Sequence, residues 1–246
     1  MDVVAALTPF ALVCARTTAF VFTAPPFAHG GIPMTVKTML AVLLAVCLAP
    51  GQTAPDGAFE LVTGVVTEVG IGAGMGLLAS TVLSAVQSAG HIIDLEGGFQ
   101  LGEAFDPLTS ASSGPYARFY QMLATVLLFA SNGYQMLLLG FARSFAAVPP
   151  GTALEVRGLS DALSREVPQL LLAAIQIAGP LVAVLFLADL GLGLLTRVAP
   201  SLNAFAMGFP LKILLTLVLG VVALVALPSV VSALASRAVD LILGQP

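Results

Sequence analysis

Long runs of apolar residues alternate with short polar breaks along this chain, and each run is long enough to form a helix. Apolar runs of this length with few charges are typical of helices that lie in a membrane. Proline, glycine and small polar residues separate the runs and indicate turns. We therefore predict about six long apolar helices, with the last one kinked at Pro228. Their expected bounds are 3–23, 33–50, 59–89, 116–148, 169–198 and 210–243.

Two polar stretches interrupt this pattern. The longer one covers residues 90–115 and carries four carboxylates but no Lys or Arg. The other covers residues 149–168 and has charges of both signs, which is typical of a connector between helices, although residues 160–167 could form one or two amphipathic turns. Within the third run, Gly72 and Gly76 are four residues apart and therefore share one helix face. We expect a neighbouring backbone to approach closely there.

Composition identifies the class of protein. Of the 246 residues, 58% are hydrophobic and only 9% are charged, whereas soluble domains carry about 25% charged residues. The prediction is an all-α integral membrane protein that is surrounded by membrane lipid. A net charge of −4 provides no basic surface for nucleic acid. Asp2 stands where a secretory signal would be basic, so we expect the first helix to be retained.

Eight polar groups lie within or beside the apolar runs. Ionisable residues at membrane depth are unfavourable, and they usually mark function or contacts between helices. Two of them, Arg197 and Lys212, could instead flank helices at the membrane surface. Asp189 and Arg197 are eight residues apart, or about 12 Å along a helix, so we expect their partners on other helices. The candidate residues are Arg16, Lys37, Glu68, Asp94, Asp189, Arg197, Asn203 and Lys212.

Catalytic and metal-binding patterns are not found in the sequence. It has neither HExxH nor GxSxG, and Cys14 and Cys47 have no second ligand at a metal-binding spacing. His91 and Asp94 have no third ligand nearby in sequence. We expect no enzymatic activity, no metal and no cofactor. An ion-coupled secondary transporter of small solutes stays open as an alternative, with Glu68, Asp94 and Asp189 as possible cation ligands.

Polar and small residues follow one another in a distinctive order from the middle of the fifth run to the start of the sixth: Pro180, Asp189, Gly191, Arg197, Pro200, Asn203, Phe205, Gly208, Pro210 and Lys212. That order, with weaker matches earlier in the chain, is similar to the R subunit of the bacterial flagellar export gate (the FliR family). It is also similar to the counterpart of that subunit in virulence type III secretion systems. The matching residues are Arg16, Pro26, Phe27, Pro33, Lys37, Pro50, Glu68, Gly72, Gly76, Ala89, Gly90, Ile93, Asp94, Gly98, Asp106, Pro107, Pro180, Asp189, Gly191, Arg197, Pro200, Asn203, Phe205, Gly208, Pro210 and Lys212.

The resemblance implies a structural transport subunit in the inner membrane, at the flagellar basal body. Its helices would bend as hairpins within a ring-like helical assembly of P and Q subunits, joined by the B and A export components. Residues 1–246 would form one membrane-embedded subunit, with about 1–150 similar to a P subunit and about 168–246 similar to a Q subunit. Unfolded flagellar proteins would pass through the channel that this assembly surrounds. We favour a flagellar over a virulence system.

The resemblance also implies a role for residues 97–114, because the corresponding loop of the family helps to close the channel. The stretch is rich in Gly and Ser, and its only charged residues are acidic. The alternative is an ordinary loop exposed to solvent. The candidate plug residues are Gly97, Gly98, Gly102, Asp106, Pro107, Ser110, Ser112, Ser113 and Gly114.

Overall fold

Every regular element in the described part of the chain is a helix. The structure is a computed structural model that describes residues 3–28, 30–52, 58–99, 114–152, 156–199 and 204–243. The all-helical prediction is confirmed over these ranges. They contain eight helices: α1 (Val3–Thr23), α2 (Met34–Leu48), α3 (Ala58–Gly97), α4 (Pro115–Ala130), α5 (Gly133–Ala147), α6 (Val156–Val198), α7 (Ala204–Leu224) and α8 (Leu227–Ile242).

The third helix is longer than its hydrophobic run. We expected it to end at residue 89, but α3 continues to Gly97. Polar side chains do not by themselves end a helix, whereas a residue with positive φ does. Gly98 has φ of 78°, and the Phe99 N–H donates to the Asp94 carbonyl oxygen at 3.1 Å. This is the hydrogen bond of a Schellman cap, so glycine ends α3 rather than the change in polarity.

The stretch expected to be a connector before the fifth run is largely helical. Helix α6 begins at Val156 and continues for 43 residues through two prolines, Pro168 and Pro180. Each proline removes one backbone hydrogen bond, and such losses are tolerated in long apolar helices when neighbouring groups compensate. The prediction of a connector over residues 149–168 was therefore wrong from Val156 onward, and the turns left open at residues 160–167 belong to one continuous helix.

Two of the predicted helices are each divided in two. Asn132 lies between α4 and α5 with φ of 57°, a left-handed conformation that Asn tolerates. The two helices are bent by 72° at this break. The last run breaks at residues 225–226. Pro228 lies in the first turn of α8, where N–H groups have no partner within the helix, so its missing N–H removes no hydrogen bond. The kink is therefore a break that precedes Pro228.

Few of these helices are long enough to cross a membrane alone. By length and composition, Phe59–Gly97 of α3 and Ser160–Val198 of α6 are candidate spans within the described residues. The bent pair of α4 and α5 makes a third candidate if it acts as one span. The count of about six long apolar helices is therefore not confirmed.

The chain forms two compact units. The first comprises Met1–Leu83, Leu128–Val167 and Ala233–Pro246. Its core includes Phe20 stacked on Phe141, with ring centroids 4.1 Å apart. The second comprises Ser84–Leu127 and Pro168–Ser232. Its core includes the fully buried residues Ala89, Ile93, Ala117 and Tyr120.

A row of small residues brings α3 against α1 in the first unit. A Cβ atom added at Gly72 would collide with the Arg16 carbonyl oxygen, and one added at Gly76 would lie 2.8 Å from the Ala24 nitrogen. A Cβ atom at Gly64 would lie 3.0 Å from a methyl carbon of Leu12. The close backbone approach predicted at Gly72 and Gly76 is confirmed, and α1 is its partner.

Candidate functional site

Two fully buried charged groups of the first unit form an ion pair. Arg16 projects from α1 and Glu68 from α3, and the side chains of both have no exposed surface. The Arg16 Nε donates to Glu68 Oε2, and Arg16 Nη2 donates to Glu68 Oε1 at 3.0 Å. Two parallel hydrogen bonds between a guanidinium and a carboxylate fix geometry as well as charge. The sequence predicted both residues as candidates but could not pair them.

Each member of this pair also binds the backbone of the turn that follows α5. The Arg16 Nη1 donates to the Val148 carbonyl oxygen at 2.9 Å, and the Gly151 N–H donates to Glu68 Oε1 at 2.9 Å. The guanidinium carbon lies 4.4 Å from the centre of the Phe145 ring. The pair therefore joins three parts of the unit, and these bonds offset the desolvation of both charges.

Lys37 is also buried in the first unit, with 8% of its surface exposed. It projects from α2, and its Nζ donates to the Ala28 carbonyl oxygen at 3.1 Å, in the turn that follows α1. The Phe22 ring lies beneath it, with the ring centre 5.8 Å from Nζ. Lys37 thus holds the turn between α1 and α2 closed.

Asp94 is fully buried in the second unit. It belongs to α3 but caps the N-terminus of the next helix, α4. Its carboxylate accepts hydrogen bonds from the Tyr116 N–H at 2.9 Å and the Ala117 N–H at 2.8 Å. These are free amides in the first turn of α4, where negative charge is also favoured by the helix dipole. Gly114 lies against the carboxylate so closely that a Cβ atom there would overlap it.

Tyr116 links the same region to α7. Its hydroxyl donates to the Thr216 carbonyl oxygen at 2.9 Å. Its ring lies 5.4 Å from that of Phe99, measured between centroids. A Cβ atom added at Gly97 would lie 3.0 Å from the Thr216 hydroxyl oxygen. The end of α3, the start of α4 and the middle of α7 therefore pack at one place.

Asp189 of α6 pairs with Lys212 of α7 in the second unit. Their charged atoms are 2.6 Å apart, and the side chains are 42% and 17% exposed respectively. A partner on another helix was expected for Asp189, and Lys212 supplies it. Arg197 is exposed and is therefore not buried within this chain. Asn203 lies outside the described residues.

Most of the predicted plug also lies outside the described residues, which include only three of its candidates. Gly97 ends α3, Gly98 caps it, and Gly114 precedes α4. The other six candidates fall in the range 100–113: Gly102, Asp106, Pro107, Ser110, Ser112 and Ser113.

One further ion pair was missed in the sequence. Glu166 of α6 is buried and accepts a hydrogen bond from Arg237 Nη2 of α8 at 3.1 Å, both in the first unit. Glu166 belongs to the stretch that we expected to be a connector. A charged residue in a polar connector does not indicate burial or a partner. Had α6 been extended to Val156, Glu166 would have been a charge near the start of a long helix, and worth testing for a partner.

Comparison with known proteins places the chain in a family. The family model described as "Bacterial export proteins, family 1" matches residues 7–238. The chain belongs to this family. The match covers both units, and it confirms the resemblance inferred from the motifs.

Individual known proteins are similar to this chain over most of their length. The flagellar biosynthetic protein FliR of Bacillus subtilis is 32% identical over 221 residues, which cover 87% of this chain and 85% of that protein. FliR of Escherichia coli is 31% identical over 201 residues, with 80% and 77% covered. The secretion system apparatus protein SsaT of Salmonella typhimurium is 33% identical over 158 residues, with 64% and 60% covered.

Proposed function

We propose that this chain is a structural subunit of the flagellar type III protein export gate and has no enzymatic activity. The observation that carries the proposal is the similarity to flagellar FliR proteins over 87% of the chain. It extends across both compact units rather than a single motif. In this role the chain helps to form and close the channel through which unfolded flagellar proteins cross the inner membrane at the flagellar basal body.

The surface of the second unit supports assembly with other subunits. Only 22% of an apolar stretch of 18 residues in α6 is buried, against 61% of a stretch of the same length in α3. Large side chains such as Phe186, Leu187 and Leu194 are more than half exposed. A helix that is apolar on all sides requires lipid or other helices around it. We propose that P and Q subunits cover it in a ring-like assembly of bent hairpins, beside the B and A components.

The bonding of the carboxylates argues against an ion-coupled transporter. A coupling cation needs carboxylate oxygens that it can reach and that no other cation neutralises. Glu68 already binds Arg16, and Asp189 already binds Lys212. Asp94 accepts two backbone N–H groups at the start of α4. Each candidate ligand is thus committed to a structural partner within this chain.

Purification from native membranes tests the proposed function. The chain would carry an affinity tag, be extracted in mild detergent, and be analysed by mass spectrometry together with the proteins that accompany it. We expect a large complex that contains the P and Q gate subunits. Recovery as a monomer or homodimer alone would contradict the proposal and make cation binding at Glu68, Asp94 and Asp189 the next measurement.

We also propose that residues 97–114 help to close the channel. Support comes from membership of the export family. The two described ends of the stretch lie together at Asp94, where Phe99 bonds to its backbone and Gly114 lies against its carboxylate. Deletion of residues 109–113 is expected to let small ions leak through the assembled gate. The control is a replacement of the same five residues by Gly and Ser, which keeps the length. Absence of a leak in an assembled deletion complex would refute the plug.

A further inference from the structure

The row of α3 residues that contacts α1 repeats every four positions. Gly64, Glu68, Gly72 and Gly76 lie at this spacing, and residues four apart share a helix face. Leu12 of α1 lies against the first of them, and later α1 residues meet the later glycines. The two helices therefore run in the same direction along this row.

Glycines at a constant spacing do not by themselves define one register. If α1 slid along α3 by four residues, or about 6 Å, one glycine would replace another against the α1 backbone. Glu68 is the one member of the row with a side chain. Its bidentate bond to Arg16 exists in the observed register, and a slide of one turn would leave both charges buried and unpaired.

The pair also has a direction, because the turn after α5 presents different groups to its two ends. The Val148 carbonyl oxygen faces the guanidinium, and the Gly151 N–H faces the carboxylate. A carboxylate at position 16 would meet an acceptor, and a guanidinium at position 68 would meet a donor. The two charges are therefore not interchangeable, although they neutralise each other.

We propose that Arg16 and Glu68 are positioning residues that fix the register of α1 against α3 and anchor the turn at residues 148–151. The pair converts a glycine row that permits several registers into one that permits a single register. This inference concerns the fold of the first unit, and it stands whether or not the chain acts in protein export.

Distance measurement between spin labels tests the register. Labels at Ala11 and Val66 are on exposed positions of α1 and α3, in a full-length chain whose two cysteines, Cys14 and Cys47, are replaced by Ala. We expect one distance in this background. Glu68→Gly completes the glycine row and should add a second population, displaced by up to about 6 Å. A single unchanged distance would overturn the register proposal.

A matched variant separates this effect from the loss of any buried charge. Glu166→Gly breaks a second ion pair of the first unit, with Arg237, and neither of these two residues belongs to the row. We expect the spin-label distance to stay unchanged in this control. An equal displacement in the control would mean that the register depends on general stability, which would also overturn the proposal.

Hydrogen exchange of the Gly151 amide tests the direction of the pair. Glu68→Gln keeps the shape of the side chain but removes its charge, so exchange should be about tenfold faster, since bonds to ionised acceptors are roughly twice as strong. The double substitution Arg16→Glu with Glu68→Arg, which swaps the two charges, should not restore the protection of the Gly151 amide. Restored protection and a single spin-label distance in the doubly substituted chain would refute the claim that the two charges are not interchangeable. Unchanged exchange in Glu68→Gln would do the same without depending on the doubly substituted chain.

Discussion

Replacement of Asp94 by alanine removes one carboxylate that holds the first turn of α4. The side chain is fully buried, and it accepts two backbone hydrogen bonds, at 2.9 Å from Tyr116 and 2.8 Å from Ala117. After Asp94→Ala, both N–H groups lose this acceptor, the Ala117 N–H in a buried place and the Tyr116 N–H in a partly buried one. We therefore expect a loss of stability that is concentrated where α3 ends and α4 begins.

The magnitude follows from these two bonds. A hydrogen bond to a charged acceptor contributes about 1.5–3 kcal/mol, and loss of a helix N-cap typically costs about 1 kcal/mol. The two estimates describe the same bonds and cannot be added, and the site can relax after the substitution. We therefore expect Asp94→Ala to lower the free energy of unfolding by about 3 kcal/mol. Asp94→Asn keeps one acceptor oxygen but turns an amide NH₂ group toward the other N–H. We expect about 2 kcal/mol for this variant.

Amide hydrogen exchange in the purified full-length chain is the assay. A loss of about 3 kcal/mol corresponds to roughly a 100-fold faster exchange at Tyr116 and Ala117, if these amides exchange through local opening. Glu96→Ala is the control, since it removes a partly exposed carboxylate two residues further along α3. Exchange rates within threefold of the unchanged chain in Asp94→Ala would refute the reasoning, because the two hydrogen bonds could not then be holding α4.

The remaining predictions concern helix contacts and assembly. Gly72→Ala should destabilise the first unit by about 1–3 kcal/mol in a denaturant titration, because the new methyl group collides with the Arg16 carbonyl oxygen. Gly179→Ala, where nothing lies within 4 Å, should instead be neutral or stabilising by up to about 1 kcal/mol. Asp189→Ala should change the stability of the isolated chain by no more than about 1 kcal/mol, since its bond to Lys212 is partly exposed. The same variant should reduce the yield of assembled gate on affinity purification, and normal assembly and export would contradict that role.

Composition alone determined the class of this protein. A chain with 58% hydrophobic and 9% charged residues cannot hide its apolar side chains in a soluble core of this size. Hydrophobic runs also located most helices, because an apolar helix needs no information from the rest of the chain to satisfy its backbone. Helix ends were less predictable. Gly98 and Asn132 end helices through their backbone conformation, which the polarity of the sequence does not reveal.

Charge in an apolar context also located much of the candidate site. Arg16, Lys37, Glu68 and Asp94 stand out in the sequence for this reason, and all four are buried in the structure. The same reasoning missed Glu166, since the helix that buries it was not predicted to begin so early. A polar residue stands out only when the segment around it is recognised as apolar.

The partners of these charges were decided by tertiary structure alone. Arg16 bonds to groups that are 52 and 132 residues away in sequence, and the sequence contains other carboxylates that could have served. The choice depends on which helix faces come together, and that follows from how glycine and large side chains pack along α1 and α3. Sequence therefore determined that buried charges exist and need partners, because burial of an unpaired charge is unfavourable. Packing determined which partners they have, because an ion pair requires its atoms within about 4 Å, and only the fold sets that distance.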